Sequence, residues 1–200
     1  MSAGLLLAST SPRRATLLGE AGLEFCQVDP GLSDADEAAL AADALEVGCD
    51  PPAVARRLAL AKLLAALART GHAGPALAAD TLIVHRGALL AKAADIEEAR
   101  AILGRLRGER HEVLSGVAVR LASGEVRADT CASQVTFTAF PPEALEAFLA
   151  TGLWRGKAGA YGVQDPETAP LVARVEGSGS NVKGLPMEVV RALFGAELGA

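Results

Sequence analysis

The chain has 200 residues, of which 50% are hydrophobic, 22% are charged and 4% are aromatic, and its formal net charge is -5. This length and composition predict a single folded domain over residues 1–200, with a core of Ala, Leu and Val rather than aromatic rings. The negative charge argues against a general affinity for nucleic acid or for an anionic membrane. No apolar run reaches the roughly 18 to 20 residues of a membrane helix, so we expect a cytoplasmic protein.

Apolar periodicity, helix caps and Gly or Pro breaks predict alternating strands and helices. Residues 29–50 are acidic and then Ala-rich without a clear period, and we interpret them as a loop. Residues 156–175 mix glycines with short strand-like pieces, and a Gly/Ser/Asn loop follows over 177–184. This order predicts an α/β fold with a mixed sheet, although the elements also allow an α+β fold. The remaining predicted elements, in chain order, are strand 4–8, helix 12–21, strand 23–28, helix 51–69, strands 76–84 and 88–91, helix 95–106, strands 111–121 and 126–138, helix 141–151 and a last helix from Pro186.

The segment Ser9-Thr10-Ser11-Pro12-Arg13-Arg14 joins the first strand to the first helix. Ser11 suits the N-cap and Pro12 suits the first helical position, so hydroxyl and guanidinium groups gather at a helix N-terminus. Free N–H groups and the helix dipole favour an anion there, and Arg adds two-pronged hydrogen bonding to its oxygens. The alternative is an ordinary capped surface helix with solvated arginines.

Asp80 interrupts an apolar strand in the sequence Leu77-Ala78-Ala79-Asp80-Thr81-Leu82. Because a buried isolated charge is costly, this carboxylate needs a partner, a metal or a chemical role, unless it simply caps a turn at the strand end. Lys62 lies on a largely apolar helix and Lys92 follows a short apolar run, so both amines are candidate phosphate partners. For either lysine taken alone, a solvated or snorkelling side chain is the more frequent outcome.

Asp34, Asp36 and Glu37 lie close together in the acidic stretch. Their oxygens are the ligands that a divalent metal such as magnesium prefers when substrate phosphate and water complete its shell. A solvated acidic run is the alternative. The three histidines, His72, His85 and His111, are dispersed and support neither a metal site nor a catalytic triad.

Taken together, these motifs resemble those of the Maf family of nucleoside triphosphate pyrophosphatases, and the resemblance runs nearly end to end. Besides Ser9 to Arg14, it rests on ordered matches along the chain: Leu58-Ala59-Leu60-Ala61-Lys62, Ala79-Asp80-Thr81, Leu90-Ala91-Lys92, Gly108 with His111-Glu112-Val113, Lys157 to Gln164, and Gly177-Ser178 through Asn181 to Pro186.

The resemblance implies an elongated two-lobed α/β fold with a central cleft, of the kind shared with inosine triphosphate pyrophosphatases. It implies hydrolysis of a nucleoside triphosphate between the α and β phosphates with a divalent metal, Mg or Mn. Asp80 falls on the catalytic aspartate, and Asp34 falls where an acidic residue helps to place the metal. The family also suggests a homodimer. The positions expected to bind phosphate are Ser9, Arg13, Arg14, Lys62 and Lys92.

Three positions, Arg13, Thr81 and Gln164, match the branch of the family that acts on dTTP and UTP. The branch that resembles 7-methyl-GTP pyrophosphatases carries Trp, Gln and Glu there, so we expect a dTTP/UTP pyrophosphatase that also accepts modified pyrimidine nucleotides. Gln has both a donor and an acceptor for a uracil or thymine edge. The alternatives are 7-methyl-GTP hydrolysis and a nucleotide-binding regulator of cell division. Departures from the family pattern are Ala93 after Lys92, where Pro is usual, and the long stretch over 29–50.

Overall fold

The computed structural model describes residues 4–198. The strands are β1 (Leu5–Ala8), β2 (Phe25–Val28), β3 (Ala76–His85), β4 (Ala88–Leu90), β5 (Arg110–Arg120), β6 (Val126–Phe137) and β7 (Val172–Glu176). The α-helices are α1 (Pro12–Glu20), α2 (Asp34–Glu46), α3 (Pro51–Thr70), α4 (Ile96–Leu106), α5 (Pro142–Ala150), α6 (Gly179–Val182) and α7 (Met187–Phe194). Two 3₁₀ helices span Pro166–Leu171 and Gly195–Leu198.

The strands form a seven-stranded sheet in the order β2-β1-β3-β5-β6-β7, with β4 paired to β3. Strand β1 lies between β2 and β3 and is parallel to both, whereas β3 with β4 and β6 with β7 are antiparallel. Helices cross between the parallel strands because such strands need a long connection. The prediction of an α/β fold with a mixed sheet is therefore confirmed.

The loop interpretation of residues 29–50 is wrong, because residues 34–46 form α2. Ser33 caps this helix: its hydroxyl accepts from the Asp36 N–H, and the Asp36 carboxylate accepts from the Ser33 N–H at 2.9 Å. Asp at the third position takes the place of the usual Glu or Gln of such a capping box. The helix buries only Ala44, so its sequence carries no apolar stripe from which a helical period could be read.

The other loop prediction, over 177–184, is also interrupted by a helix, the short α6. The Ser178 hydroxyl accepts from the Asn181 N–H at 3.0 Å and caps it. A single helical turn is too short for periodicity to reveal.

Among the described residues, the first of two compact units comprises 4–80, 115–131 and 184–198. Within its described residues, one apolar cluster joins α1 and α7 to strands through residues such as Leu18, Leu77, Val117 and Val190. A second cluster packs α3, through Leu63, on strand residues such as Leu6 and Ala118. This unit is an α/β layer structure built from three separate stretches of chain.

The second unit comprises residues 81–114 and 132–183. Its core contains α4, α5 and strand residues, and it holds most of the buried aromatic side chains, including Phe137, Phe148, Trp154 and Tyr161. The single domain over 1–200 stays a prediction. Of the helices within residues 4–198, none combines the length and apolar character that a membrane crossing requires.

Candidate active site

The segment between β1 and α1 wraps around the hydroxyl of Ser9. This residue is buried, and its Oγ accepts from the Ser11 N–H at 3.1 Å and from Arg14 Nη1 at 3.2 Å. Ser11 occupies the predicted N-cap position and Pro12 begins the helix, but over the described residues the Ser11 side chain makes no capping hydrogen bond. The N-terminal N–H groups of α1 therefore keep their capacity to bind an anion.

The end of β2 fixes the backbone of this segment. The Ser9 N–H donates to the Val28 carbonyl at 2.9 Å, and the Gln27 side chain donates through Nε2 to the Ser9 carbonyl at 2.7 Å. Since Gln27 lies on the neighbouring parallel strand, the loop conformation depends on the β1–β2 pairing.

Arg14 is anchored by its Nε, which donates to the Gly184 carbonyl at 2.8 Å. Burial lowers the pKa of the guanidinium below its ordinary value, and the neighbouring Arg13 acts in the same direction, while Asp80 and Glu37 oppose the shift. Arg14 thus lies within electrostatic reach of both carboxylates. A guanidinium fixed beside a helix N-terminus is suited to holding an anionic oxygen.

Strand register explains why Asp80 lies near this loop. Ala8, the last residue of β1, pairs with Ala78 of the parallel strand β3, so Asp80 continues β3 beyond the point where β1 gives way to Ser9. Asp80 is buried, at 6% exposure. The carboxyl ends of parallel strands are where α/β proteins commonly bind ligands.

Lys62 provides the charge that Asp80 needs. Its ammonium, on α3, donates to Oδ1 of Asp80 and also lies 2.8 Å from Oε1 of Glu37 on α2. The side chains of Lys62 and Asp80 are each 8% exposed and that of Glu37 is 14% exposed. One buried ammonium between two carboxylates leaves this group of three with a net negative charge, a centre that a metal or a second cation can join.

Asp34 and Arg13 complete the predicted residues of the first unit. Asp34 is exposed on the first turn of α2, three positions before Glu37, and the Asp36 carboxylate is used by the capping box. Arg13 is half-buried on the first turn of α1. Glu37 rather than Asp34 makes the ion pair with Lys62.

Thr81, Lys92 and Gln164 belong to the second unit. Thr81 is half-buried in β3, and Lys92 is exposed just after β4, where it forms an isolated antiparallel bridge with Ala158. Gln164 is half-buried and donates through Nε2 to Asp165.

Comparison with known sequences identifies the family. The profile of the family described as Maf-like protein matches residues 4–197. The chain belongs to the Maf family. The match includes every residue of the site described above.

Curated relatives of this Maf protein are similar over nearly their whole length. A dTTP/UTP pyrophosphatase of Mesorhizobium japonicum is 38% identical, covering 96% of this chain and 91% of the relative, and one of Burkholderia orbicola is 41% identical, covering 95% and 91%. Among solved structures, a nucleoside-triphosphatase / dITP/XTP pyrophosphatase from Mycobacterium abscessus is 14% identical with a TM-score of 0.42, covering 94% of this chain and 91% of that one. The sequence matches alone carry the family membership.

Of the positions selected by the Maf resemblance, the structure brings Ser9, Arg14, Lys62 and Asp80 together in the first unit. The sequence marks Glu37 only as one of three acidic candidate metal ligands, and no motif marks Gln27. Ser33 with Asp36 was a signal for the helix that carries Glu37. Gln27 offered none, because its role depends on the pairing of two strands.

Proposed function

We propose that this Maf protein hydrolyses dTTP and UTP, and modified pyrimidine nucleotides as well, to the monophosphate and pyrophosphate. The observation that carries the proposal is the Lys62 ammonium held between Asp80 and Glu37 in the unit that also contains Ser9 and Arg14. Phosphoanhydride cleavage requires the charge on phosphate oxygens to be neutralised and a water molecule to lose a proton. Lys62 and Arg14 supply cations that neutralise the phosphate charge, and Asp80 supplies a carboxylate that can accept the proton.

The phosphates would be held by the α1 N-terminus and its cations. Arg14, positioned by Gly184, offers its guanidinium, and the Ser9 hydroxyl retains its hydrogen for donation because its oxygen already accepts two hydrogen bonds. Arg13 and Lys92 are further proposed phosphate ligands, on the family resemblance. Such fixed donors stabilise charge without needing to reorganise during the reaction.

Asp80 would accept the proton of the attacking water. As the new P–O bond forms, the bridging P–O bond breaks, pyrophosphate leaves, and the water proton passes to the Asp80 carboxylate. Lys62 holds that carboxylate in place, and a bound phosphate oxygen offers its ammonium a further acceptor. Asp80 and Lys62 therefore act as a pair in which neither side chain is replaceable by a neutral one.

The side chains present fit a divalent metal such as Mg or Mn. Asp80 and Glu37 both contact the Lys62 ammonium, so their carboxylate oxygens lie close together. Carboxylate oxygens are hard donors of the kind that Mg binds, and these two residues would hold the ion. Across residues 4–198 no group of three or more His, Cys, Asp or Glu side chains could hold a metal by itself, so substrate phosphate and water would complete the shell. The metal would supply further neutralisation of phosphate charge. Asp34 stays a predicted ligand, one turn before Glu37 on α2.

Base selection is assigned to Arg13, Thr81 and Gln164, the positions that match the pyrimidine branch. The names of the curated relatives, dTTP/UTP pyrophosphatase, support pyrimidine nucleotides as the substrates. Gln164 offers the donor and acceptor that a uracil or thymine edge requires. A cytoplasmic location and a homodimer stay predictions from the family resemblance.

Pyrophosphate release from dTTP, UTP and 7-methyl-GTP with Mg or Mn tests the proposal. We expect turnover of dTTP and UTP, loss on adding a chelator, and a decrease in kcat of about 10²-fold or more in Asp80→Asn. Asp43→Asn, which removes a carboxylate from the exposed side of α2, is the matched control and should retain activity.

Two results would contradict the proposal. Nucleotide binding without turnover by the unaltered protein would favour a regulator of cell division. A preference for 7-methyl-GTP over UTP would reject the use of Arg13, Thr81 and Gln164 as markers of the pyrimidine branch.

A further inference from the structure

Asp165 holds two side chains of the second unit at once. Lys157 Nζ donates to Oδ2 of Asp165, and Gln164 Nε2 donates to Oδ1 at 3.0 Å. The side chains of Lys157 and Asp165 are only 14% and 18% exposed. The Asp165 carboxylate therefore has a fixed cation on one oxygen and the Gln164 amide on the other.

The backbone around this carboxylate is also fixed. The Asp165 N–H donates to the Gly162 carbonyl at 3.0 Å, and the Asp165 carbonyl accepts from the N–H of the buried Thr168 at 2.9 Å. Just before it, the Tyr161 hydroxyl shares a hydrogen bond of 2.5 Å with Nε2 of His111 in the core. The carboxylate thus has little freedom to follow a movement of Gln164.

This contact determines which way round the Gln164 amide lies. The two ends of a Gln amide are nearly identical in shape, so an unrestrained amide can turn over at little steric cost. A carboxylate only accepts hydrogen bonds, and the Gln164 carbonyl facing Asp165 would place two acceptors together. The NH₂ group therefore faces Asp165, which leaves the carbonyl oxygen and the second N–H to meet a ligand.

A fixed amide distinguishes keto from amino pyrimidines. Uracil and thymine present a donor, N3–H, beside a carbonyl acceptor, whereas cytosine in the same position presents an acceptor, N3, beside an amino donor. An amide whose carbonyl accepts from N3–H and whose N–H donates to the adjacent carbonyl would meet cytosine acceptor to acceptor and donor to donor. Sites that leave buried polar groups mismatched discriminate strongly.

We propose that Asp165, held by Lys157, is a positioning residue that orients the Gln164 amide toward uracil and thymine and against cytosine. The inference rests on the proposed function, in which Gln164 contacts the base. It adds a specificity role for two residues outside the three branch positions.

The test compares kcat/KM for UTP and CTP in the full-length protein and in Asp165→Asn. An Asn amide can face either end of Gln164, so the orientation is released with little change of shape. We expect the UTP to CTP ratio to fall by about tenfold or more. Glu167→Gln, which removes a charge from an exposed side chain of the same segment, should keep the original ratio. Lys157→Met, which frees the carboxylate, should lower the ratio in the same direction.

Each outcome has a separate meaning. If the unaltered protein prefers UTP and both Asp165→Asn and Lys157→Met keep its ratio, the inference is wrong while the proposed function stands. If Gln164→Ala also keeps the ratio, Gln164 does not read the base and the inference fails at that step. If the unaltered protein releases pyrophosphate from neither UTP nor dTTP, the proposed function fails and the inference falls with it.

Discussion

His111 is a buried imidazole in the core of the second unit, at 2% exposure. Its ring makes edge contacts with Phe137 and Tyr161 at centroid distances of 4.9 Å and 5.4 Å. Burial, with a smaller contribution from His85, lowers the pKa of His111 from 6.5 to about 4. The folded protein therefore keeps this side chain neutral at pH values where the unfolded chain binds a proton.

We predict that this histidine makes stability depend on pH. Between pH 6.5 and about 4, His111 binds a proton in the unfolded chain but not in the folded protein. The stability that this difference in protonation affects is therefore at its full value above pH 6.5 and is lost as the pH falls through this window. The free energy of unfolding should fall by about 2 kcal/mol between about pH 7 and about pH 5. Urea unfolding of the unaltered protein and of His111→Gln measures it, and the variant should show a smaller fall. His72→Gln, on the half-buried His72, is the control, and an equal fall in His111→Gln would assign the pH dependence to other groups.

Asp80 shows how far a single residue can be interpreted from sequence. A carboxylate within an apolar strand predicts burial with a partner, and the structure shows both. The identity of the second carboxylate did not follow, because Asp34, Asp36 and Glu37 are chemically alike and only the rotation of α2 decides which one faces Lys62. The contacts of Asp165 are equally invisible in the sequence, because no local pattern distinguishes this carboxylate from a solvated surface carboxylate.

At the scale of elements, close packing of α3 on β5 depends on Gly116. A Cβ at this position would lie 2.1 Å from the Ala55 carbonyl oxygen and 2.7 Å from the Arg56 nitrogen. Both contacts are with helix backbone, which cannot move aside as a flexible side chain can. Gly116 thus permits the approach of the helix that carries Lys62.

We predict that Gly116→Ala destabilises the protein by about 3 kcal/mol or more, because helix and strand must separate to admit the methyl group. Gly104→Ala is the matched control: Gly104 lies in α4, and a Cβ there would meet nothing within 4 Å. That change should stabilise by about 0.5 to 1 kcal/mol, since Ala loses less conformational entropy in a helix. Thermal and chemical unfolding measure both, and equal effects of the two substitutions would exclude a packing role for Gly116.

Most elements were predictable because their signals are local. Pro and N-cap residues set the starts of α1, α3 and α4, and Gly71 ends α3 in the left-handed conformation expected of a C-cap. The wrong prediction of a loop in place of α2 also has a local cause, because a helix with a single buried residue has no amphipathic pattern. Strand order could not be obtained this way, because pairings such as β1 with β3 join distant residues.

At the scale of the whole molecule, the chain passes repeatedly between two compact units. Three of the four boundaries fall within strands, after Asp80 in β3, after Leu114 in β5 and after Cys131 in β6, and the fourth follows Lys183. The first unit takes core residues from all three of its stretches, for example Leu77, Val119 and Phe194. Neither unit corresponds to a continuous stretch of sequence.

We therefore predict that the fragment 1–80, which contains the Ser9 segment, Lys62 and Asp80, does not fold alone. It lacks the core contributions of Val117, Val119, Leu185 and Val190, so its apolar strands would remain exposed to water. Circular dichroism during heating should show no cooperative transition for the fragment, in contrast to the full-length chain. A cooperative transition in the fragment would show that this segment is an autonomous folding unit.

The sequence by itself determined the alternation of strands and helices and the family. It also determined the chemical character of Ser9, Arg14, Lys62 and Asp80. Helix caps, periodicity and ordered motifs allow this because they depend on residues that are close together in the sequence. Only the tertiary structure decided which side chains meet: Glu37 with Lys62, Gln27 with the Ser9 loop, and Asp165 with both Lys157 and Gln164. Those contacts depend on strand register, helix rotation and loop conformation. These features are fixed by packing of distant segments, which no local pattern encodes.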